Sequence, residues 1–569
     1  MGSFTPTSSF SHLDPIPLDA IYSLKETFAA DSNENKIILG SGVYRDDASQ
    51  PWVLPSVQKA EEIVNNLQDP GRYEYLPIPG YAPFYTAARD LLFGGLEGKA
   101  DRVVSVHTIA GTGANSLGAR FLKEATNPSA VWVPDPTWVN HRNIWSLAGV
   151  EVKTYPYWNP TKKALDFERL LEVLESEANK GDVIILHACA HNPTGMDPTR
   201  EQWTAIATLC ETKGLFPFFD CAYLGFASGD VDKDAWAVRH FASRGTMELA
   251  VAQSFSKNMG LYGERVGALH VLAATADAAS KLKGHLARLQ RGHISQPPRR
   301  GARIAATILT SPSLYQEWLS DLRDMSGRIQ DMRRALYDQL LSLGTPGSWE
   351  HIRSQIGMFS YTGLTPEQVA TIQADSHVYM LKSGRINIAG LTTKNVEYTA
   401  RAIDAAVRRK DRGTELFSGV HAIPITSAAS VGIFWLPPEY LVQKSEHDHK
   451  TTIDLEKISQ IAVAKHDGRC HTHSVSSHVK RPVFVISFCQ LDHKRTITTM
   501  PGTHEGLELN RPCRRGVAEV PKDLFLGALS THASEHLASR PLPVPLAVIS
   551  SSILPKAAED EVPVGYRAL

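Results

Sequence analysis

Short apolar runs alternate with amphipathic stretches between about residues 50 and 325 of the chain. Continuous apolar runs predict β-strands, and apolar positions spaced three or four residues apart predict helices. The predicted strands cover residues 130–133, 183–187, 215–219, 249–254 and 266–271. The predicted helices include residues 56–67, 114–124, 200–212 and 275–291. Because the strands are nearly continuous apolar runs rather than alternating ones, the pattern predicts an α/β fold with a mainly parallel sheet and helices on both faces.

From about residue 322 the pattern changes to a smaller α+β arrangement. It predicts a long helix beginning near residue 322, strands over 357–361 and 385–388, and a closing helix over 393–410. A chain of 569 residues is also too long for one ordinary domain. We predict an N-terminal arm with part of the small domain (1–46), a large domain (47–324), a small domain (325–411) and an unassigned extension (412–569).

The extension has a different composition from the rest of the chain. Prolines interrupt any long periodicity there, and 11 of the 22 histidines lie in it. This composition favours a separate, weakly ordered segment, and a fusion or a translated non-coding stretch is left open as its origin. It contains zinc-type ligands in spacings that match no standard structural site, so we predict no metal site. These ligands are His447, Asp448, His449, Cys470, His471, His473 and His478.

Charge and targeting signals exclude several classes of function. Lys and Arg number 59 against 60 Asp and Glu, so no basic surface for nucleic acid or for an anionic membrane is indicated. No apolar run reaches the roughly 20 residues of a membrane span, and the N-terminal residues lack the pattern of a signal or transit peptide. The six cysteines form no CxxC pair, which favours a reducing compartment. We therefore expect a cytoplasmic enzyme that acts on small molecules.

The segment with the clearest chemistry is SFSKN, residues 254–258, at the end of a predicted strand. A lysine held in a dry pocket has a lowered pKa, so the amine of Lys257 is suited to attack an aldehyde. Ser254 and the nearby Arg265 are suited to grip a phosphate. The alternative is an exposed lysine and arginine in an ordinary loop, which this motif alone does not exclude.

Polar residues also follow two neighbouring predicted strands. Asp220 comes directly after the apolar run 215–219 and is suited to pair with a positive group such as a protonated pyridine nitrogen. Asn192, in the sequence HNPTG, follows the strand 183–187 and is placed to donate to a ring hydroxyl. Taken singly, an Asp at a strand end and an NPTG turn are both common in loops.

Gly111 and Thr112 precede the helix predicted from Ala114. Free backbone N–H groups at a helix N-terminus bind anions, so this position suits a phosphate. The pair Gly111 and Gly113 is a weak signal by itself, however, because two nearby glycines are also typical of an ordinary turn.

Ordered blocks of sequence between about residues 14 and 410 resemble the aspartate aminotransferases of the class I pyridoxal-phosphate enzymes. Many blocks in one order are far more specific than any single motif. They are SQPWVLP (49–55), EYLPIPG (74–80), ILHACAHNPTG (185–195), LFPFFD (215–220), GFASG (225–229), DKDAWAVR (232–239), AQSFSKN (252–258), SGRIN (383–387) and GLTTKN (390–395). The resemblance implies fold type I of the pyridoxal-phosphate-dependent transferases, with the cofactor in the large domain.

The resemblance also implies roles for the matching residues. The implied catalytic residues are Lys257, which forms a Schiff base with the cofactor, Asp220 and Tyr223. The implied cofactor-binding residues are Gly111, Thr112, Trp138, Asn192, Asp220, Tyr223, Ser254, Lys257, Arg265 and, from the other subunit, Tyr75. The implied substrate-binding residues are Gly42, Trp138, Asn192, Arg385 and, across the dimer interface, Arg291.

Within these sets, Trp138 resembles the indole that stacks on the cofactor ring, and His141 the residue behind Asp220. Arg385 resembles the arginine that takes the substrate α-carboxylate bidentately, and Arg291 the one that takes the distal carboxylate.

Three positions depart from the family pattern. Ala110 stands where Ser is frequent, Ser41 where a small apolar residue is usual, and Gln296 where Asn is usual. A hydroxyl contact to the phosphate is therefore lost at Ala110, and the other two changes bear on affinity or substrate range.

The implied activity is ping-pong amino transfer from L-aspartate to 2-oxoglutarate, giving oxaloacetate and L-glutamate, in a homodimer with shared active sites. One alternative is an aromatic or broad-specificity aminotransferase, against which Arg291 argues. Another is a non-catalytic homologue that acts as a binding or regulatory protein, and Lys257, Asp220 and Arg385 argue against that.

Overall fold

The computed structural model describes residues 8–17, 19–95, 98–245 and 247–409, together with four strand segments after residue 442. Its helices are α1 (Ala20–Ala30), α2 (Pro55–Asn66), α3 (Ala82–Phe93), α4 (Ala110–Ala125), α5 (Asn140–Leu147), α6 (Phe167–Glu177), α7 (Arg200–Lys213), α8 (Val231–Asp234), α9 (Trp236–Ser243), α10 (Ala276–Ile294), α11 (Arg300–Thr310), α12 (Pro312–Ser342), α13 (Glu350–Ser354), α14 (Pro366–Ser376) and α15 (Val396–Arg408). Its strands are β1 (Ile37–Ile38), β2 (Val103–Ile109), β3 (Ala130–Asp135), β4 (Glu151–Pro156), β5 (Trp158–Asn159), β6 (Ala164–Leu165), β7 (Val183–His187), β8 (Phe216–Cys221), β9 (Leu249–Ser254), β10 (Val266–Leu272), β11 (Phe359–Tyr361), β12 (Val378–Tyr379), β13 (Arg385–Asn387), β14 (Gln443–Lys444), β15 (Thr451–Thr452), β16 (Val485–Leu491) and β17 (Lys494–Met500).

A seven-stranded sheet in the order β2-β10-β9-β8-β7-β3-β4 organises the larger part of the chain. The strands from β9 to β4 pair in parallel, and β10 runs antiparallel to both β9 and β2. The prediction of a mainly parallel sheet is therefore confirmed. The segment 255–265 between β9 and β10 contains no helix, and a parallel pair needs a longer crossover, so β10 runs antiparallel.

Both faces of this sheet are covered, as the apolar strands predict. All residues of β7, β9 and β10 are buried, and two groups of apolar side chains, one for each face, pack around them. Helix α4 contacts β9 and β10 on one face, and the second group includes its residues Leu117 and Phe121. The sheet is therefore the rigid base from which the loops at its carboxyl edge project.

Two helices begin earlier in the chain than predicted by a full turn or more. Helix α4 begins at Ala110, directly after β2, and not at Ala114. The low helix propensity of Gly111 and Gly113 hid its first turn from the pattern. Helix α12 begins at Pro312 rather than near residue 322, because proline is well accommodated in the first turn of a helix.

The second arrangement contains two small sheets. Strand β11 pairs antiparallel with β13, and β1 pairs parallel with β12, so Ile37 lies opposite Val378. Strands β11 and β13 are shorter than the predicted strands 357–361 and 385–388. Helix α15 is shorter at both ends than the predicted helix 393–410. The pairing of β1 with β12 is compatible with an N-terminal segment that contributes to the small domain. The division into four segments stays a prediction.

The chain divides into two units, Met1–His421 and Ala422–Leu569. In the second unit, β14 pairs antiparallel with β15 and β16 with β17. The remainder of the predicted extension, including all seven zinc-type ligands, lies outside the described residues. Among the helices that the structure describes, none is long and apolar enough to cross a bilayer.

Buried histidines make the folded chain sensitive to acid. His107 on β2 and His270 on β10 have no exposed surface, and burial lowers the pKa of each to about 3. An unfolded histidine takes up a proton below about pH 6.5, whereas these two stay neutral, so stability is full above that pH and falls as the pH drops towards 3. We expect the urea midpoint to be lower at pH 5 than at pH 7. Below pH 6.5, each histidine should lower the free energy of unfolding by up to about 1.4 kcal/mol per pH unit.

His107→Leu tests this expectation, because both ring nitrogens of His107 lack a hydrogen-bond partner among the described residues. The pH dependence of the urea midpoint should be shallower in this variant than in the wild type. His285→Gln, at an exposed histidine of α10, should leave it unchanged. An unchanged slope in His107→Leu would contradict the account.

Candidate active site

A cavity of about 220 Å³ lies at the carboxyl edge of the central sheet. Strands β7, β8 and β9 end beside it, and α4 begins there. It is lined by Gly42, Ala110, Gly111, Thr112, Asn115, Trp138, His187, Asn192, Asp220, Ala222, Tyr223, Ser254, Ser256, Lys257, Tyr262 and Arg265. The structure therefore brings together ten of the residues singled out from the sequence.

Lys257 stands in the turn after β9 and is partly exposed, towards the cavity that it lines. Its Nζ lies 5.0 Å from the centroid of the Tyr223 ring. Burial lowers the pKa of this amine, Asp220 opposes that shift, and the positive charges of Arg265 and Arg385 add to it. Among the described residues, Nζ has no hydrogen-bond or ion-pair partner. The amine is therefore available to a bound molecule, as a nucleophile requires.

Asp220 is buried near the end of β8, where its Oδ2 lies 2.9 Å from Nε2 of His141. Burial by itself raises the pKa of this carboxyl, but the hydrogen bond and charge of His141 outweigh it and hold the pKa below its usual value. Nδ1 of His141 is 2.9 Å from Oγ1 of Thr137, which is 3.1 Å from Nε2 of His187. Asp220 therefore offers a fixed negative charge at the cavity wall.

Arg385 on β13 is a buried guanidinium with specific partners. Its Nη1 donates to Oδ1 of Asn192 at 3.2 Å, and its Nη2 donates to O of Gly40 at 2.8 Å. The group lies 4.3 Å from the centroid of the Phe359 ring, and burial lowers the pKa of Arg385 to about 10. Its Nε has no partner within the described ranges. It stands beside Tyr223, whose pKa burial raises.

The first turn of α4 and the end of β9 form a cradle suited to an anion. Gly111 and Thr112 present backbone N–H groups in the first turn of this 16-residue helix. A Cβ on Gly111 would lie 3.0 Å from Cβ of Ser254, so any larger residue there would require Ser254 to move by a few tenths of an ångström. Arg265 has a left-handed backbone (φ 56°) and donates from Nη1 to O of Tyr262 at 3.0 Å. Its positive charge complements the helix N-terminus.

Trp138 and Gly42 line other walls of the cavity. The half-buried indole of Trp138 lies 5.2 Å from the imidazole of His141, edge to face. A Cβ added to Gly42 would meet Cζ of Phe359 at 3.5 Å, which is ordinary contact. Trp138 thus offers a flat aromatic surface close to Asp220.

Three of the thirteen site residues named from the sequence, Arg385, Tyr75 and Arg291, are not among those that line this cavity. Arg385 contacts the lining residue Asn192. The side chain of Tyr75 is 86% exposed, and Arg291 is exposed near the end of α10, where it contacts Ser295. Both lie on the outer surface of their own chain, where a second subunit would have access to them.

The sequence did not point to several lining residues, among them Asn115, His187, Ser256 and Tyr262. The hydroxyl of Tyr262 accepts the backbone N–H of Tyr44 at 2.9 Å, which connects the turn after Lys257 to the segment after Gly42. Position in the SFSKN turn was the only available signal for Ser256.

The three residues that depart from the family pattern, Ala110, Ser41 and Gln296, lie next to residues named for the site or in contact with their neighbours. Ala110 has a left-handed backbone (φ 55°) and donates its N–H to O of Arg265 at 3.1 Å, so the backbone connection to the cradle is kept. Ser41 is buried and Gln296 contacts Ser295. No group of three or more metal-type ligands occurs among the described residues.

Known aminotransferases are similar to this chain over the part that contains the cavity. The L-tyrosine:2-oxoglutarate aminotransferase of Aspergillus ustus is 46% identical over 407 residues, which are 70% of this chain and 78% of the relative. The cytoplasmic aspartate aminotransferase of Schizosaccharomyces pombe is 46% identical over 404 residues, which are 70% of this chain and 98% of the relative.

A solved structure is similar over the same part. It is the aromatic-amino-acid aminotransferase of Burkholderia pseudomallei covalently bound to pyridoxal phosphate, with a TM-score of 0.67, 37% identity, and coverage of 70% of this chain and 100% of that one. The family model for aminotransferase class I and II matches residues 34–403. The chain therefore belongs to the aminotransferase class I and II family.

Proposed function

We propose that the protein is an aspartate aminotransferase, which transfers an amino group reversibly from L-aspartate to 2-oxoglutarate with pyridoxal phosphate as cofactor. The observation that carries the proposal is the free amine of Lys257 in one cavity with the carboxylate of Asp220. The aspartate aminotransferase of Schizosaccharomyces pombe, similar along almost its whole length, supports the substrate. The products are oxaloacetate and L-glutamate.

The residues around the cavity fit pyridoxal phosphate in charge and shape. Gly111, Thr112, Ser254 and Arg265 would hold the phosphate, because they line the same cavity and carry N–H, hydroxyl and guanidinium donors. Trp138 would stack on the ring. When bound, the cofactor supplies an aldehyde that takes up an amino group and a ring that accepts electron density from the substrate.

Lys257 is proposed to hold the cofactor and later to move a proton. Because its pKa is lowered, a larger fraction of the amine is neutral at physiological pH and able to act as nucleophile and as base. Once substrate displaces it, Nζ is free to take the proton from Cα. The carboxylate of Asp220, kept charged by His141, would stabilise a proton on the ring nitrogen.

Arg385 is proposed to bind the α-carboxylate of the substrate. Asn192 and Gly40 fix its planar fork, and the unpaired Nε shows that its hydrogen-bonding capacity is not used up. A held α-carboxylate orients the Cα–H bond towards Lys257 and excludes alternative poses. Asn192 and Tyr223 are proposed to bond the ring oxygen from the same side.

We also propose a cytoplasmic homodimer with shared active sites. Tyr75 and Arg291 are exposed and lie away from the cavity of their own chain, so their implied roles require a second subunit. In the dimer, Tyr75 reaches the phosphate and Arg291 reaches the distal carboxylate of the substrate bound by the neighbour.

A comparison of substrates tests the proposed specificity. The wild type is expected to turn over aspartate faster than phenylalanine at equal low concentration. Arg291→Ala should lower kcat/KM for aspartate by about 10- to 100-fold, since a charged hydrogen bond contributes roughly 1.5–3 kcal/mol. Its kcat/KM for phenylalanine should be unchanged. Arg288→Ala, at an exposed arginine of the same helix paired with Glu124, is the control and should behave as the wild type.

The second candidate is an aromatic aminotransferase, which the similarity to the L-tyrosine enzyme of Aspergillus ustus favours. Faster turnover of phenylalanine or tyrosine than of aspartate would support it against the first. A binding protein without catalysis is the third alternative, and amino transfer from any of these substrates would exclude it.

A further inference from the structure

One arginine, Arg299, holds the loop 69–74 that directly precedes Tyr75. Its Nη1 donates to O of Gly71 at 2.7 Å, and its Nη2 donates to O of Glu74 at 2.9 Å. The two nitrogens belong to one rigid plane, so holding two carbonyls at once fixes the orientation of the loop as well as its position. The second carbonyl is only one residue from Tyr75.

An acidic residue completes this arrangement. Nη1 of Arg299 lies 3.8 Å from Oδ2 of Asp69, and Arg303 pairs with the same oxygen. Oδ1 of Asp69 accepts the N–H of Gly71 at 2.9 Å. The side chains of Arg299 and Asp69 are 18% and 28% exposed, so these contacts are less screened than those of a fully solvated pair. We refer to Asp69, Arg299 and Arg303 as the loop clamp.

Tyr75 itself projects away from its own chain. Its side chain is 86% exposed, whereas the next residue, Leu76, is buried. The backbone is thus fixed on both sides, by the loop clamp before Tyr75 and by Leu76 after it. The Tyr75 hydroxyl makes no hydrogen bond to any other residue in the described ranges. The loop clamp therefore fixes the backbone next to a side chain that makes no hydrogen bond within the described part of its own chain.

We propose that Arg299 is a positioning residue for the cofactor of the neighbouring subunit, acting through Tyr75. This rests on the proposed function, in which Tyr75 reaches the phosphate of the cofactor bound by the partner. A loop that is already fixed loses less conformational freedom when its side chain binds. Removing the clamp should therefore loosen the cofactor held by the other subunit.

The rate of pyridoxal phosphate release from the holoenzyme tests the proposal. Arg299→Ala is expected to release cofactor on the order of tenfold faster than the wild type, as loss of hydrogen bonds from a charged group implies. Tyr75→Phe should be at least as fast, and the double variant no faster than Tyr75→Phe. Arg299→Lys, which keeps the charge but not the fork, should lie between Arg299→Ala and the wild type. Arg300→Ala is the matched control, because Arg300 pairs with Glu61 and Glu264 and not with the loop.

Mixed dimers show in which subunit Arg299 acts. When Arg299→Ala chains pair with Lys257→Ala chains, the one site with a lysine receives its Tyr75 from a chain with an intact clamp. The cofactor that remains on Lys257 is measured over time by borohydride reduction and mass spectrometry. Release from that site should be as slow as in the wild type. When a chain with both substitutions pairs with a wild-type chain, release from the wild-type lysine should be fast.

These measurements distinguish a failure of the proposed role of Arg299 from a failure of the proposed function of Tyr75. If Tyr75→Phe releases cofactor at the wild-type rate, the role of Tyr75 in the proposed function fails. If Tyr75→Phe is fast and Arg299→Ala and Arg299→Lys are both at the wild-type rate, the proposed function stands and the role of Arg299 is overturned. Fast release that stays with the Arg299→Ala subunit in the first mixed dimer also overturns it, because the effect would then arise within one chain.

Discussion

Lys257→Ala is expected to lower the rate of amino transfer by at least about 10⁴-fold, the upper end for the loss of a proton-transfer group, because it also removes the covalent hold on the cofactor. Initial rates with aspartate and 2-oxoglutarate measure this effect. The fold should survive, since Nζ has no hydrogen-bond or ion-pair partner among the described residues and burial disfavours its charged form. We therefore expect the urea midpoint of the variant to equal or exceed that of the wild type. Functional residues are frequently retained at a cost in stability, so replacing one can raise the free energy of unfolding.

Lys281→Ala is the control for this substitution. Lys281 is an exposed lysine of α10 that pairs with Asp277, and its loss should change neither rate nor stability. Turnover near the wild-type level in Lys257→Ala would refute the proposed mechanism. A large fall in the urea midpoint together with the loss of activity would instead show that the amine has a structural role.

Strands with a long apolar run could be predicted from the sequence, and a strand interrupted by several polar residues could not. The predicted strands 183–187 and 249–254 agree with β7 and β9 at both ends. Strand β2 was missed because Ser105, His107 and Thr108 interrupt its apolar pattern. Ser105 lies opposite His270 on β10 and its Oγ is 2.7 Å from Nδ1 of that histidine. Such a pairing satisfies polar groups inside the sheet, and it depends on a strand far away in the chain.

The site shows the same division. Lys257 and Asn192 follow strands β9 and β7, and Asp220 lies near the end of β8, so their common edge could be inferred from the order of the elements. Tyr262 could not be found in this way, because its contact with the N–H of Tyr44 joins segments more than two hundred residues apart. The roles of residues proposed to act across the dimer came only from the resemblance, since a single chain gives no local signal for a contact with its partner.

Arg385→Lys is expected to lower kcat/KM by about 10²- to 10⁴-fold, because a lysine keeps the charge but loses the bidentate hydrogen bonds to a carboxylate. The fork of Arg385 is already aligned by Asn192 and Gly40, and a single ammonium cannot satisfy both partners and the substrate. Since every amino acid substrate carries an α-carboxylate, the loss should be similar for aspartate and phenylalanine.

This uniform loss distinguishes Arg385 from Arg291, whose replacement should affect aspartate alone. Cofactor release should stay at the wild-type rate in Arg385→Lys, because the proposed phosphate contacts, among them Ser254 and Arg265, are left intact. Kinetics with both substrates, read together with cofactor retention, therefore separate binding of the α-carboxylate from binding of the cofactor. A loss confined to aspartate would assign Arg385 to the distal carboxylate instead and would reverse the proposed orientation of the substrate relative to Lys257.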